Sequence, residues 1–148
     1  MGHTMFTAKA LVFDSNGDFL LLKRSDTHPF LAGFYDLPGG IIEDGEEPGD
    51  AVVREINEEV GLNVMKKDIQ IFYATTKFIN NKSIPTLLYA VHIDSEKPDI
   101  TISWEHKSYE WAPIERLHEV EPQLAPAYGD ALNYILDNDI LDILKTSD

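Results

Sequence analysis

Residues 40–62 constrain this chain more than any other stretch. They read Gly-Ile-Ile-Glu-Asp-Gly-Glu-Glu-Pro-Gly-Asp-Ala-Val-Val-Arg-Glu-Ile-Asn-Glu-Glu-Val-Gly-Leu. Pro48 suits a first helical position, Asp50 complements the positive end of the helix dipole, and Gly61 suits the left-handed residue that closes a helix. Val53, Ile56 and Val60 form one stripe of that helix. Glu55, Glu58 and Glu59 fall within an arc of about 100°, because i+3 and i+4 neighbours share a face. The pattern therefore predicts a helix that buries one side and turns an acidic side outward. An acidic run is ordinarily a solvated face. Here, however, Glu58 and Glu59 lie near the C-terminal end and run against the dipole. Clustered oxygen ligands on a rigid element select hard cations such as Mg²⁺ or Mn²⁺ rather than zinc.

The spacing is also a motif. Gly40, Glu46, Arg54, Glu55, Ile56, Glu58, Glu59, Gly61 and Leu62 satisfy every specified position of G-x5-E-x7-R-E-U-x-E-E-x-G-U, where U is a bulky aliphatic residue. At residue usages of about 7% each, chance agreement would arise on the order of once in 10⁹ starting positions. The chain resembles the Nudix hydrolases. That resemblance implies an α/β/α sandwich around a mixed sheet. It also implies metal-dependent hydrolysis of a phosphoanhydride in a nucleoside triphosphate or nucleoside diphosphate derivative, with release of a nucleoside monophosphate. Glu55, Glu58 and Glu59 would be the metal ligands and Arg54 the clamp that orients them, Glu46 included. A backbone carbonyl at Gly39 or Gly40 would join the metal shell. The alternative is a nucleotide-binding regulatory module that keeps the fold without catalysis, although such proteins usually lose a box glutamate.

A later acidic residue often completes such a site. Glu105 is the candidate general base, because residues 105–111, Glu-His-Lys-Ser-Tyr-Glu-Trp, resemble that region of nucleoside-triphosphate members. His106 is the weaker alternative, and Trp111 reads as core. For the substrate, Arg24, Lys23 and Lys77 are candidate phosphate contacts. Phe30, Phe34, Tyr35, Phe78 and Tyr128 are candidate base-stacking aromatics, with Phe34, Phe78 and Tyr128 preferred. Residues 21–25, Gly33 and Pro38-Gly39-Gly40 are spaced as in coenzyme A pyrophosphatases, but Pro29 and Leu37 depart from that group's Arg and Phe. Lys77 stands where ADP-ribose members carry proline. Residues 125–128 offer no amide of the kind that reads oxidised guanine.

Composition sets the remaining bounds. A chain of 148 residues suffices for one domain with a sizeable core. A formal net charge of −14 argues against long nucleic acids, which bind by pairing phosphates with Lys and Arg. It does not exclude a small phosphorylated substrate, because divalent ions reverse the local field. There is no cysteine, no apolar run long enough to span a membrane, and no secretory signal pattern at the start, so a cytoplasmic location is expected. A homodimer would fit the family pattern, and no stretch specifies an interface.

Periodicity and turn residues give the rest. Strands are expected over 6–13 and 19–23 around the turn Ser15-Asn16-Gly17-Asp18. Extended runs over 69–79 and 84–93 should pair about Asn80-Asn81-Lys82. A short strand is expected over 109–112, a short helix over 114–117, and a final helix over 125–145 carrying Ala131, Leu132, Ile135, Leu136, Ile140 and Leu144.

Overall fold

Strand β1 (Thr7–Phe13) is buried along its whole length, so both faces of the sheet around it must be covered. Ala8, Ala10 and Val12 point to one face, Leu11 and Phe13 to the other. The computed structural model describes residues 5–29, 31–128 and 134. The expected final helix over 125–145 lies outside these residues beyond Tyr128, apart from Tyr134, and Phe30 lies outside them too.

The other strands are β2 (Phe19–Arg24), β3 (Tyr35–Asp36), β4 (Gly39–Ile41), β5 (Ile69–Ile79), β6 (Lys82–His92) and β7 (His106–Ala112). β1 runs parallel to β6 from Thr7↔Thr86 to Phe13↔His92, and every other pairing is antiparallel. β1 and β2 meet only at Phe13↔Phe19 and then splay apart. Into the fork goes the segment from β3 to β4: β3 pairs with β2, β4 pairs with β1, and Ala10 N–H donates to Pro38 O at 2.9 Å. β7 flanks β2, and β5 flanks β6. The result is a mixed sheet of seven strands.

Helix α1 (Pro48–Val60) covers one face, packing Val52, Ile56 and Val60 on Ala8, Ala10, Val12, Leu20 and Leu22. Helix α2 (Arg116–Tyr128) covers the other, with Leu117, Val120, Leu124 and Tyr128 against Leu11, Phe13, Phe19, Leu21 and Leu37. Each fully buried Leu, Ile or Val adds about 1.5–3 kcal/mol, so both helices are held mainly by these stripes. This is the α/β/α sandwich that the resemblance implied.

Three elements differ from expectation. The β5–β6 turn is tighter, with Asn80 and Asn81 at φ 52° and 64°, and β6 starts at Lys82. Two residues with positive φ match the twist of the flanking strands. β7 starts at His106 because its polar first half pairs with Lys23 and Arg24 across a bulge. The short helix expected over 114–117 is instead the start of α2, which continues through Pro122 and Pro126. A proline inside a helix costs about 3 kcal/mol. Burial of Leu117, Val120, Leu124 and Tyr128 at helical spacing outweighs it.

Candidate active site

α1 is set by its ends and its buried stripe. Pro48 opens the helix, and Gly61 at φ 73° closes it, with its N–H bonded to Asn57 O. Burial of Val52, Ile56 and Val60 fixes the helix rotation and turns the acidic arc toward β4. The expectation that this arc faces solvent needs correction. The Glu58 side chain is 60% exposed, whereas Glu55 is at 19% and Glu59 at 8%. Glu59 follows Ile56 by three residues, so the stripe that buries Ile56 carries Glu59 inward as well.

Arg54 ties the arc together. Its Nε and Nη2 donate to the two oxygens of Glu46 at 2.8 and 2.9 Å, Nη1 reaches Glu55 at 2.9 Å and Glu58 at 3.2 Å, and Nη2 also reaches Ile41 O. The bond from Arg54 holds Glu46 down at about 2. Glu55 moves the other way, since burial raises it despite Arg54 beside it. Gly40 makes room for this carboxylate: a Cβ there would stand 2.6 Å from the Glu55 carboxyl group. Gly39 is equally constrained, at φ 134° and with a Cβ position 2.1 Å from Ala8 O.

Glu59 is the least satisfied acid. Burial pushes it up to about 8, against the attraction of Lys9, and its Oε1 has no hydrogen-bond partner. His106, on β7, brings Nε2 to 3.9 Å from that oxygen and 3.5 Å from Asp36 Oδ2, and neither ring nitrogen makes a hydrogen bond. In this conformation, no three acidic or histidine side chains among the described residues converge on one ion position. Glu58 is drawn outward by Arg54 while Glu59 points inward.

Beside Glu59, in the fork between β1 and β2, lies buried Asp36. Lys9 Nζ is 3.4 Å and Arg24 Nη2 3.1 Å from its Oδ2, the Leu37 N–H donates to Oδ1, and so does the Tyr128 hydroxyl. Burial alone would raise Asp36, but Lys9, His106, Arg24 and Tyr128 together hold it far below the usual carboxylate range. Lys9 Nζ also donates to Leu37 O and Gly39 O, so the Gly39 carbonyl serves this ammonium.

The expected substrate residues separate. Arg24 is buried against Asp36. Tyr128 is fully buried and presents no ring face to a base. Its apolar ring completes the core under α2 while its hydroxyl satisfies Asp36, which corrects the stacking role expected of it. Phe34 is half-buried beside Arg24, whose N–H donates to Phe34 O, and Phe78 is 70% exposed near the tip of the β5–β6 hairpin. Glu105 is 43% exposed at its side chain, 3.5 Å from His28 Nε2, and its charge contributes to raising Glu59.

Sequence reasoning passed over Lys9, Asp36, His28 and Trp104. The ring of His28 stacks 6.5 Å from that of Trp104, which is 70% exposed next to Glu105. One signal was present: a lysine within the apolar run of residues 6–13 is out of place unless a buried acid meets it.

Known proteins resemble this chain in both sequence and shape. A family model described as NUDIX domain matches residues 3–134. The chain is 32% identical over 100 residues to an octanoyltransferase of Myxococcus xanthus, a match covering 64% of this chain but only 26% of that longer protein. It is 28% identical over 132 residues to the nucleoside triphosphatase NudI of Salmonella paratyphi B, covering 84% of this chain and 94% of the relative. The crystal structure of a MutT protein from Methanosarcina mazei Go1 superposes with a TM-score of 0.77 at 27% identity, covering 92% of this chain and 94% of the other.

Proposed function

The chain belongs to the Nudix family, and we propose that it hydrolyses a phosphoanhydride of a nucleoside triphosphate or nucleoside diphosphate derivative, by attack of water at phosphorus with release of a nucleoside monophosphate. The observation that carries this reading is the acidic face of α1: three carboxylates beside Gly40, tied by Arg54, with a buried, unpartnered oxygen on Glu59.

This donor set fits Mg²⁺ or Mn²⁺. Two of the acids are raised by burial, and Glu59 Oε1 lacks any donor, which are the marks of carboxylates missing a cation. Glu58 is exposed and can change rotamer to join them. A divalent ion bound there would polarise phosphoryl oxygens and acidify a bound water.

The chain's own residues do the rest. Arg54 fixes Glu55 and Glu58 relative to Glu46, which preorganises the charge that the transition state meets. Glu105 is the base of this reading: it lies in the field of Glu59, and its exposure lets water reach it. Of the aromatics expected to stack on a base, Phe78 is exposed and Phe34 half-buried, and both remain candidates. The name of the relative NudI, matched along nearly its whole length, favours a triphosphate. A cytoplasmic setting fits the absence, among the described residues, of any helix long and apolar enough to cross a membrane.

The test is product analysis in isotopically labelled water, over a panel of nucleoside triphosphates, dinucleoside polyphosphates and nucleoside diphosphate sugars. Label in a phosphate or nucleotide product supports attack of water at phosphorus. Label elsewhere, or no product with any substrate, opposes it.

A further inference from the structure

With 43% of its side chain exposed, Glu105 would sample several rotamers unless a neighbour held it. The neighbour is the loop that follows β2. Its Ser25 N–H donates to Glu105 O at 2.9 Å, and the His28 N–H closes a turn on Ser25 O at 3.2 Å. That turn sets the His28 ring beside the Glu105 carboxylate, with Nε2 3.5 Å from Oε2. The ring itself is held. Its side chain is 9% exposed, the Trp104 ring stacks on it at 6.5 Å, and Arg24 Nη1 lies 3.3 Å from Nδ1 and 3.2 Å from Nε2. Arg24 is anchored in turn, with Nη2 on Asp36.

Donor and acceptor chemistry gives these contacts a direction. A guanidinium only donates and an ionised carboxylate only accepts. A neutral imidazole between them has to turn its bare nitrogen to Arg24 and its N–H to Glu105. Nδ1 then accepts from Arg24, and Nε2–H donates to Glu105 Oε2. The other tautomer would set the Nε2 lone pair against the carboxylate. The pocket favours a neutral ring: burial first, then Arg24, and to a smaller extent His106 push His28 below its usual value, against Glu105 and Asp36. At 3.5 Å the contact is long, as catalytic contacts often are before substrate binds.

We propose that His28 is a positioning residue, whose Nε2–H, set by Arg24, aims the Glu105 carboxylate at the attacking water. That Glu105 is the base rests on the hydrolase reading above, whereas the contact rests on its own geometry. A base works only within hydrogen-bond reach of the proton it takes. A carboxylate that swings out of reach therefore loses rate rather than substrate affinity. His28 touches neither the water nor the nucleotide in this account, so its loss appears in kcat and leaves KM alone.

The contact is read first, without activity, by nitrogen NMR of histidine-labelled metal-free protein at neutral pH. His28→Gln identifies the ring's signals by removing them. The wild type is expected to show the Nε2–H tautomer, and Glu105→Ala to lower its population. Kinetics follow on a nucleotide that the wild type hydrolyses. His28→Leu keeps bulk without a donor and should lower kcat by about tenfold or more at unchanged KM. His28→Gln, whose amide N–H falls near the Nε2 position, should recover part of that loss. In a Glu105→Ala background, His28→Leu should cost nothing further, since the two residues act as one unit. An Nδ1–H tautomer in the wild type, an unchanged kcat in His28→Leu, equal losses in the Leu and Gln variants, or additive losses in the double variant each overturn the proposal. The two readings fail separately. Turnover that ignores His28 sinks the positioning role and leaves the hydrolase standing. An Nε2–H tautomer that depends on Glu105, without turnover of any substrate, keeps the contact and sinks the hydrolase together with the catalytic use of the pair.

Discussion

Arg54 grips both oxygens of Glu46, Nε to Oε2 at 2.8 Å and Nη2 to Oε1 at 2.9 Å, across eight residues of chain. The fork pins the loop before α1 to the helix while the third nitrogen faces Glu55 and Glu58. A lysine offers one point charge and cannot hold both ends. Arg54→Lys should keep the fold and lower kcat by about a hundredfold, since small misplacements of catalytic groups cost that much. Steady-state kinetics with circular dichroism checks it.

Gly40 is close enough to Glu55 that an added methyl group would displace the carboxylate, at 2.6 Å. Gly40→Ala is expected to weaken Mn²⁺ binding about tenfold, as loss of ligand orientation does elsewhere. An unchanged Mn²⁺ titration would mean that Glu55 is not a ligand.

Glu59 predicts a pH signature in the metal-free protein. Its folded value of about 8 lies above the ordinary 4.5, so the folded state binds the extra proton between those values. The stability this contributes is full below about pH 4.5 and is lost as pH rises through 8. Relative to Glu59→Gln, which cannot ionise, the wild-type Tm should fall between pH 5 and 8, and the gap should narrow when Mg²⁺ or Mn²⁺ is added. Calorimetric scans across that range, with and without chelator, measure it.

Tyr128 is expected to matter for stability rather than for binding. Tyr128→Phe leaves Asp36 short of one donor in a buried site, at a cost of about 1–3 kcal/mol in urea unfolding. KM should stay nearly unchanged, because the ring is fully buried and presents no face to a base. A large rise in KM with unchanged stability would restore the stacking role.

How much was legible follows from which force decided each element. α1 could be read to the residue, from Pro48 to the left-handed Gly61, because local capping and helical spacing agree there. The β5–β6 hairpin was legible from Asn80-Asn81 for the same reason. α2 was not: local propensity at Pro122 and Pro126 argues against a helix, and only packing under the sheet overrules it. The inward turn of Glu59 depends on how α1 rotates against β1, a tertiary fact. The Lys9–Asp36 pair joins residues 27 apart across a fork that no local pattern encodes.

The most direct test is nucleotide release from nucleoside triphosphates by wild type and by Glu58→Gln, with Mg²⁺, with Mn²⁺ and with chelator. Glu58 is the acid of the three that leaves the core untouched, so its loss should spare the fold. The account predicts turnover that requires metal and falls by about a thousandfold or more in Glu58→Gln, as when electrostatic stabilisation of a transition state is removed. A folded wild type that binds nucleotide yet releases nothing with either metal would contradict it, and would make the chain a nucleotide-binding module on a hydrolase fold.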